Sequence, residues 1–254
     1  TSGQAVTSGT WAQLVQANTN AMIKDYDSAV RTSYAQGETN KQAAKRIADI
    51  TEGISKREAE ALSRTGVQHY AVQAHEAIHE ANERVIKGYE YVAVLDNRTS
   101  TLCGGRDGNF YKKGKKRPPL PAHFNCRSQY LAIVIGEDDL EGRRVAVGGK
   151  GGDEAADAYE KRKDRKRTTG KVKRRGRKDD TFFKPEKVNA TTDYDKWLER
   201  QPDWFVESAL GKTRAKLFKD GGMPISKFND MTGRQLTIDE LRELDSKAFT
   251  EAGL

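Results

Sequence analysis

The sequence is poor in cysteine, in proline and in long apolar runs. It contains two cysteines and six prolines in 254 residues; two cysteines are too few for a disulfide-stapled scaffold and favour a reducing compartment. No apolar run approaches the ~18 residues that a membrane-spanning helix needs, and no signal-peptide pattern opens the chain. Because the chain begins at Thr1 without a methionine, we expect a processed product or a fragment.

The usual sequence patterns of enzymes are missing as well. There is no glycine-rich phosphate loop, no Ser/His/Asp signature and no pair of carboxylates with supporting context. Apolar residues make up 35% and charged residues 32% of the chain, which favours one modest core with exposed helices and a disordered stretch. We therefore predict a protein without catalytic residues, cofactor or small-molecule substrate.

The first third of the chain has the apolar spacing of helices. This spacing predicts a helix over about 10–34 and a second one over about 40–47. Ser55 and Glu58 form a capping box that opens a long third helix. Gly88 is the predicted end of that helix.

One motif in the long helix resembles a catalytic site. His75, Glu76 and His79 form an H-E-x-x-H sequence, which in zinc peptidases places two imidazoles one turn apart beside a glutamate that activates water. The apolar stripe of the helix, centred on Tyr70 and Ala74, lies on another face, so we expect both histidines to face solvent. The extended motif with a third histidine is also missing. A solvated helix face is the preferred interpretation, and a zinc hydrolase is the rival.

Both cysteines lie in the segment 88–134, between two strand-like patterns. Alternating apolar residues at its two ends predict β-strands, and a connection of about thirty residues normally has a function or a firm anchor. Cys103, His123 and Cys126 are the candidate anchors. The basic run 112–117 in the same loop suits an acidic partner, DNA phosphate or simply solvent.

This loop carries the residues by which the chain resembles a known family. The sequence DNRT at 96–99, then Cys103 with the Asp-Gly pair at 107–108, then PAHFNCR at 121–127, resembles the signature of the phage Mu F-type minor head proteins. These are also called head morphogenesis proteins. The resemblance covers roughly residues 35–135.

Two later stretches extend the resemblance. YDKWLERQP at 194–202 and LGKTR at 210–214 are similar to a C-terminal segment common in tailed-phage head proteins. For the loop, the resemblance implies a structural role of Cys103, Asp107, Gly108, His123, Cys126 and Arg127. Ser100 and Ser128 stand where the family often has two further cysteines, which puts a four-ligand metal site or a second disulfide in doubt.

The residues themselves leave the chemistry of the cysteines open. The His-x-x-Cys spacing suits zinc, but Cys103, His123 and Cys126 fall one ligand short of a closed structural site. A disulfide would staple the loop, although a reducing cytoplasm disfavours its early formation. The third alternative is that both thiols are buried packing groups. We predict no bound metal.

Positive charge is concentrated in one part of the chain. The formal net charge is +8, and residues 143–178 hold 15 Lys/Arg against 5 Asp/Glu. Within it, residues 161–178 hold 12 Lys/Arg against one Asp and almost no apolar residue. Such a block is unable to bury a core and should be disordered when alone. It suits phosphate neutralisation without sequence readout, with an acidic protein as the competing partner. The predicted DNA-binding residues are Lys161, Arg162, Lys163, Arg165, Lys166, Arg167, Lys171, Lys173, Arg174, Arg175, Arg177 and Lys178.

Order is expected to return near Phe182, in short helices rich in aromatic residues. A second capping box at 237–240 opens the final helix. The aromatic cluster suits either a small local core or a surface that binds a partner protein. The residues assigned to partner binding are Trp197, Leu198, Trp204 and Phe205.

These patterns together predict an α+β fold. Residues 1–136 are expected to form a head morphogenesis domain, with long N-terminal helices packed on a small antiparallel sheet. Residues 137–181 are expected to be a basic flexible insert, and residues 182–254 a C-terminal helical segment.

The function implied by the resemblance is that of a tailed-bacteriophage minor capsid protein. Such a protein would bind portal or major capsid protein near the portal vertex, contact double-stranded DNA without sequence preference, and act in DNA packaging or ejection. It would be assembled in the host cytoplasm and reside in the virion head, without membrane contact. Three rivals stay open: a zinc hydrolase using the motif at 75–79, a nucleic-acid-processing enzyme built on the Cys103–Cys126 loop, and a plain DNA-binding protein.

Overall fold

The computed structural model describes residues 20–50, 55–136, 142–152, 155–161 and 182–254. The chain divides into two compact units. Unit 1 comprises Thr1–Val92, Asn109–Asp138 and Met231–Arg234, and unit 2 comprises Ala93–Gly108, Asp139–Asp230 and Gln235–Leu254. Helices combine with antiparallel sheets of three and two strands, so the predicted α+β class is confirmed.

Three helices begin unit 1: α1 (Asn20–Ala35), α2 (Asn40–Ile50) and α3 (Lys56–Ala81). The Ser55 hydroxyl accepts a hydrogen bond from the Glu58 N–H, and the Glu58 carboxylate accepts one from the Ser55 N–H. Both bonds satisfy backbone donors that have no partner within the helix. The predicted capping box is therefore confirmed as the start of α3.

Helices α1 and α3 approach closely because Gly66 has no side chain. A Cβ at this position would lie 2.7 Å from the Tyr26 hydroxyl oxygen and 2.8 Å from Cγ1 of Val30. The buried residues around this contact are Tyr26, Val30, Ile47 and Ala59. The predicted residues 10–19 of the first helix lie outside the described residues.

Helix α3 ends earlier than its apolar spacing predicts. It stops at Ala81, and strand β1 (Ile86–Val92) follows after one 3₁₀ turn. Asn82 ends the helix with φ at −111°, and its side-chain amide donates to a carbonyl of the last turn at 2.8 Å. Gly88, the predicted end of the helix, instead lies inside β1, where an aromatic ring of the neighbouring strand occupies the space of a side chain.

The sheet of unit 1 has the strand order β2-β1-β3. Strands β2 (Phe110–Lys112) and β3 (Gln129–Val134) both pair antiparallel with β1. The ring of Tyr89 on β1 lies 5.2 Å from the ring of His79 on α3. The predicted packing of long helices on a small antiparallel sheet is therefore observed within unit 1.

Unit 2 contains a second strand pair. Strand β4 (Arg143–Gly149) pairs along its length with β5 (Phe183–Asn189). The seven residues of β4 belong to the stretch 137–181 that was predicted to be a flexible insert, and the structure gives them a regular conformation. Because β5 lies far from β4 in the sequence, the residues around β4 did not indicate this pairing.

Short helices complete unit 2. They are α4 (Thr101–Gly104), α5 (Tyr194–Glu199), α6 (Asp203–Leu210), α7 (Lys212–Lys219), α8 (Ile238–Leu244) and α9 (Ser246–Glu251), and residues 155–161 are helical as well. The predicted capping box of the final segment forms between Thr237 and Glu240 and opens α8. Apolar side chains of these helices and of the strand pair build the core of unit 2.

Candidate functional site

The first part of the signature, residues 96–99, forms a turn in unit 2. Asp96 is buried, and its Oδ1 accepts a hydrogen bond from the Arg98 N–H at 2.9 Å. Ser100 then caps α4, because its Oγ accepts a bond from the Cys103 N–H at 3.2 Å. A position that the family resemblance gives to cysteine is thus used here for helix capping.

Asp107 is held by an arginine that sequence reasoning did not identify. Arg144 on β4 binds both carboxylate oxygens of Asp107, with Nη1 to Oδ2 at 3.0 Å and Nη2 to Oδ1 at 3.1 Å. The same guanidinium donates to the Thr192 and Ala93 carbonyls, while Asp107 accepts the Ala93 N–H at 2.6 Å. The side chains of Arg144 and Asp107 are 13% and 0% exposed. This ion pair therefore ties three segments of unit 2 together.

The two residues of the Asp-Gly pair have distinct surroundings. Burial raises the pKa of Asp107 above its usual value, although Arg144 opposes the rise. Gly108 follows with φ at +79°, a conformation that favours glycine. No local pattern pointed to Arg144, because it lies in a basic stretch and cations are usually exposed in proteins.

The second part of the signature, residues 121–127, is anchored to α3 within unit 1. Asn125 adopts a left-handed conformation with φ at 59°, and its N–H donates to Thr65 Oγ1 at 2.9 Å. The Cys126 N–H donates to the His123 carbonyl at 3.1 Å and closes the turn. Helix α3 therefore holds this arm of the loop by hydrogen bonds as well as by packing.

The histidine and cysteines of the signature differ in surroundings. His123 is half-buried, and its Nδ1 lies 2.7 Å from the Phe124 carbonyl, so Nδ1 is the donor in this bond. Cys103 in unit 2 and Cys126 in unit 1 are buried thiols, 3% and 2% exposed. Arg127 is half-buried. Packing, a late disulfide and metal binding all remain predictions for the cysteines.

The H-E-x-x-H motif of α3 is not arranged for hydrolysis. Arg117 forms an ion pair with Glu76, and its guanidinium lies 3.9 Å from the ring centre of Tyr89 and 4.4 Å from that of Tyr130. The glutamate that would activate a water molecule is therefore engaged by a cation. Within the described residues, the motif forms no group of three His, Cys, Asp or Glu ligands close enough to hold a metal ion.

The two histidines of the motif have unequal environments. His75 is exposed as predicted, but His79 is half-buried against Tyr89. Burial lowers the pKa of His79, and the Glu76 carboxylate opposes this effect. The prediction that this face of α3 meets solvent is wrong for His79, because β1 packs on that side of the helix. The apolar periodicity of α3 did not indicate this contact.

We expect the purified protein to hold no zinc through the histidines of α3. Zinc per chain, measured by elemental analysis after purification without chelator, should be equal in the wild type and in His75→Ala/His79→Ala. The reason is that Glu76 is paired with Arg117 and no third ligand is within reach among the described residues. Stoichiometric zinc lost only in this variant would contradict the prediction. Cys103→Ser/Cys126→Ser separately tests the metal alternative for the signature loop.

Asp195 on α5 is a second acid that sequence reasoning did not identify. It is half-buried; its Oδ2 accepts a bond from the Ile225 N–H at 3.2 Å, and its Oδ1 has no hydrogen-bond partner among the described residues. Burial raises the pKa of Asp195 to about 6, the Ile225 N–H opposes the rise, and the Asp193 and Asp107 carboxylates add to it. Its charged form is therefore disfavoured in the folded chain.

The stability of unit 2 is expected to depend on pH through Asp195. The folded state keeps this proton up to about pH 6, whereas the unfolded chain loses it near pH 4. The free energy of unfolding should therefore fall as the pH rises between these values and then level off. Asp195→Asn should flatten this slope and add ~1–2 kcal/mol at neutral pH, after allowance for solvent screening.

Urea denaturation followed by tryptophan fluorescence at several pH values measures this effect. The exposed Asp157 offers a matched control, Asp157→Asn, which should leave the pH profile unchanged. An Asp195→Asn profile parallel to that of the wild type would contradict the assignment.

The four residues assigned to partner binding lie in the core of unit 2. Trp197, Leu198, Trp204 and Phe205 are 1%, 0%, 8% and 0% exposed. The Trp197 Nε1–H donates to Glu186 on β5 at 2.6 Å. Their burial contradicts the predicted docking surface, because the strand pair and the short helices enclose these side chains. The alternative interpretation, a local core, describes their arrangement.

The predicted DNA-binding segment is described only at its first residue and at its flanks. Lys161 is exposed. The Lys150 N–H donates to the Phe182 carbonyl at 2.8 Å, so described residues before and after the segment lie side by side. The predicted residues outside the described part are Arg162, Lys163, Arg165, Lys166, Arg167, Lys171, Lys173, Arg174, Arg175, Arg177 and Lys178.

The described residues of the signature loop cap a helix, form a buried ion pair and bond to α3. These contacts define the class of the protein as an α+β protein with a loop that is fixed by its own side chains. The family model for phage Mu protein F like proteins matches residues 4–131. The chain belongs to this family. No curated protein and no solved structure gives a significant match.

Family membership indicates a structural protein of phage head morphogenesis, associated with the virion head. Within the part of the chain that the structure describes, no helix is long and apolar enough to cross a membrane.

Proposed function

We propose that this chain is a minor capsid protein of a tailed bacteriophage, which docks on portal or major capsid protein near the portal vertex and contacts packaged double-stranded DNA. The observation that carries the proposal is the family match over residues 4–131. It is supported by the residues of the signature loop, which cap a helix, form a buried ion pair and bond to α3. The protein would be made in the host cytoplasm and act through binding during packaging or ejection.

The basic segment is the proposed DNA contact. Residues 161–178 contain 12 Lys/Arg against one Asp, and the Lys150 N–H donates to the Phe182 carbonyl beside the β4–β5 pair. Such a run of cations can neutralise many phosphates without reading bases. Affinity for DNA should therefore fall steeply with salt and vary little with sequence.

Co-expression tests the two halves of the proposal separately. The full chain is produced together with the portal protein and the major capsid protein of its phage, and complexes are isolated by affinity and size-exclusion chromatography. We expect a complex with at least one of the two proteins, retained when residues 161–178 are deleted. The same deletion should remove most of the affinity for random-sequence duplex DNA.

The rival functions predict different results. A plain DNA-binding protein would bind neither head protein and would lose all activity on deletion of 161–178. A nucleic-acid-processing enzyme built on the Cys103–Cys126 loop would cleave the DNA in the presence of a divalent metal. Failure to form a complex with either head protein would overturn the proposed docking even if DNA binding were observed.

A further inference from the structure

The basic run 112–117 divides into one anchored cation and an exposed turn. The charge of Arg117 is used within unit 1, where it pairs with Glu76 and lies over two tyrosine rings. Lys112, Lys115 and Lys116 are exposed, and no ion pair is recorded for them within the described residues. The sequence alone does not distinguish these basic residues, whereas in the fold Arg117 is paired and the three lysines are exposed.

The exposed lysines stand on an ordered turn. The Lys115 N–H donates to the Lys112 carbonyl at 3.1 Å, and Gly114 provides the positive φ of +75° that the turn requires. Lys113 ties the turn to the rest of unit 1, because its Nζ donates to the Glu83 carbonyl at 2.7 Å and its N–H donates to the Lys87 carbonyl at 3.3 Å. The three remaining lysines are therefore presented together at the end of the β1–β2 pair.

We infer that this lysine turn, formed by Lys112, Lys115 and Lys116, is a second contact of the protein with the phosphate backbone of double-stranded DNA. The inference rests on the proposed function, in which the protein meets packaged DNA. It places a DNA contact in unit 1, whereas the basic segment 161–178 belongs to unit 2.

The composition of the turn favours DNA over an acidic protein. Residues 112–117 contain four lysines and one arginine and no carboxylate, and the arginine is already engaged. Protein interfaces are depleted in lysine and depend on aromatic or arginine anchors, whereas phosphate neutralisation requires only accessible cations. Because contacts to phosphate carry no sequence information, the contact should be independent of sequence.

The test measures duplex binding by the full chain at several salt concentrations. Lys112→Gln/Lys115→Gln/Lys116→Gln is compared with Lys41→Gln/Lys45→Gln/Lys56→Gln, which removes the same charge from exposed positions on α2 and at the start of α3. If two of the turn lysines contact phosphates, the slope of log affinity against log salt should shrink by about 2, and affinity at 0.1 M salt should fall roughly 50-fold. The control triple should change the slope by less than about 0.5. Both variants should melt at the wild-type temperature, because the replaced side chains are exposed.

A chain lacking residues 161–178 separates this inference from the proposed function. We expect it to keep a weaker, salt-dependent affinity for DNA that the turn substitutions then remove. Wild-type-like DNA binding by the turn variant, or equal losses in both triple variants, would overturn the inference while leaving the contact through 161–178 intact. A wild-type chain without affinity for DNA would overturn both. Loss of binding to poly-L-glutamate but not to DNA would identify an acidic protein surface instead and would also overturn the inference.

Discussion

Arg144→Ala is expected to destabilise unit 2 by ~3–5 kcal/mol, because it leaves the carboxylate of Asp107 buried without its counter-charge. The substitution also removes hydrogen bonds to the Ala93 and Thr192 carbonyls. A loss of this size is a large part of the ~5–15 kcal/mol that stabilises a typical domain. Urea denaturation followed by the fluorescence of Trp197 and Trp204, which both lie in the core of unit 2, measures it.

Two variants show whether the lost ion pair is the cause. Arg143 is the exposed neighbour of Arg144 on β4, so Arg143→Ala should change stability by less than ~0.5 kcal/mol. Adding Asp107→Asn to Arg144→Ala should recover part of the loss, because the amide keeps an acceptor for the Ala93 N–H and carries no charge. Equal stabilities of the Arg143 and Arg144 variants would show that the ion pair contributes nothing.

Trp197→Ala should cost ~3–5 kcal/mol by leaving a cavity in the core of unit 2. The side chain is 1% exposed, packs against Phe205 with 5.6 Å between ring centres, and donates a hydrogen bond to Glu186. Circular dichroism with urea denaturation gives the free energy of unfolding without depending on the replaced fluorophore.

The control for Trp197→Ala is an apolar truncation on the surface of the same unit. Val145 on β4 is 66% exposed, so Val145→Ala should change stability by less than ~0.5 kcal/mol. If a Trp197→Ala variant instead kept wild-type stability and lost only its binding to a head protein, that result would contradict the observed burial. It would support the docking surface that the sequence suggested.

In the described part of this chain, the first arm of the signature loop is held by three local arrangements. Asp96 folds a turn, Ser100 caps a helix, and Asp107 with Arg144 joins three segments of unit 2. Arg144 lies beyond the residues 4–131 that the family model matches. The Asp107 carboxylate of the matched region is therefore paired with a side chain from outside that region.

Features that depend on neighbouring residues were predicted well. The capping boxes at Ser55 and Thr237 were read from four-residue patterns and form as expected, because the groups that bond to each other lie within one helical turn. The helical spacing of α2 and the alternation in β3 also led to the observed elements. Local chemistry and apolar periodicity are sufficient for such predictions.

Features that depend on distant residues were not predicted. Gly88 lies in a strand because β2 and β3 pair on both sides of it, and the residues of β4 are ordered because β5 pairs with them. The aromatic residues of α5 and α6 fill a core rather than a surface because other elements cover them. Each of these outcomes is decided by a pairing partner that a local window does not contain.

The amino-acid sequence by itself determined the α+β class, the starts of the capped helices, the basic character of 161–178 and the family. Only the tertiary structure decided that Arg144 neutralises Asp107, that Arg117 neutralises Glu76 in the H-E-x-x-H motif, and that three lysines of the run 112–117 remain at the surface. The physical reason is that a charged side chain is expensive to bury alone. Its role therefore depends on which opposite charge the fold brings within reach.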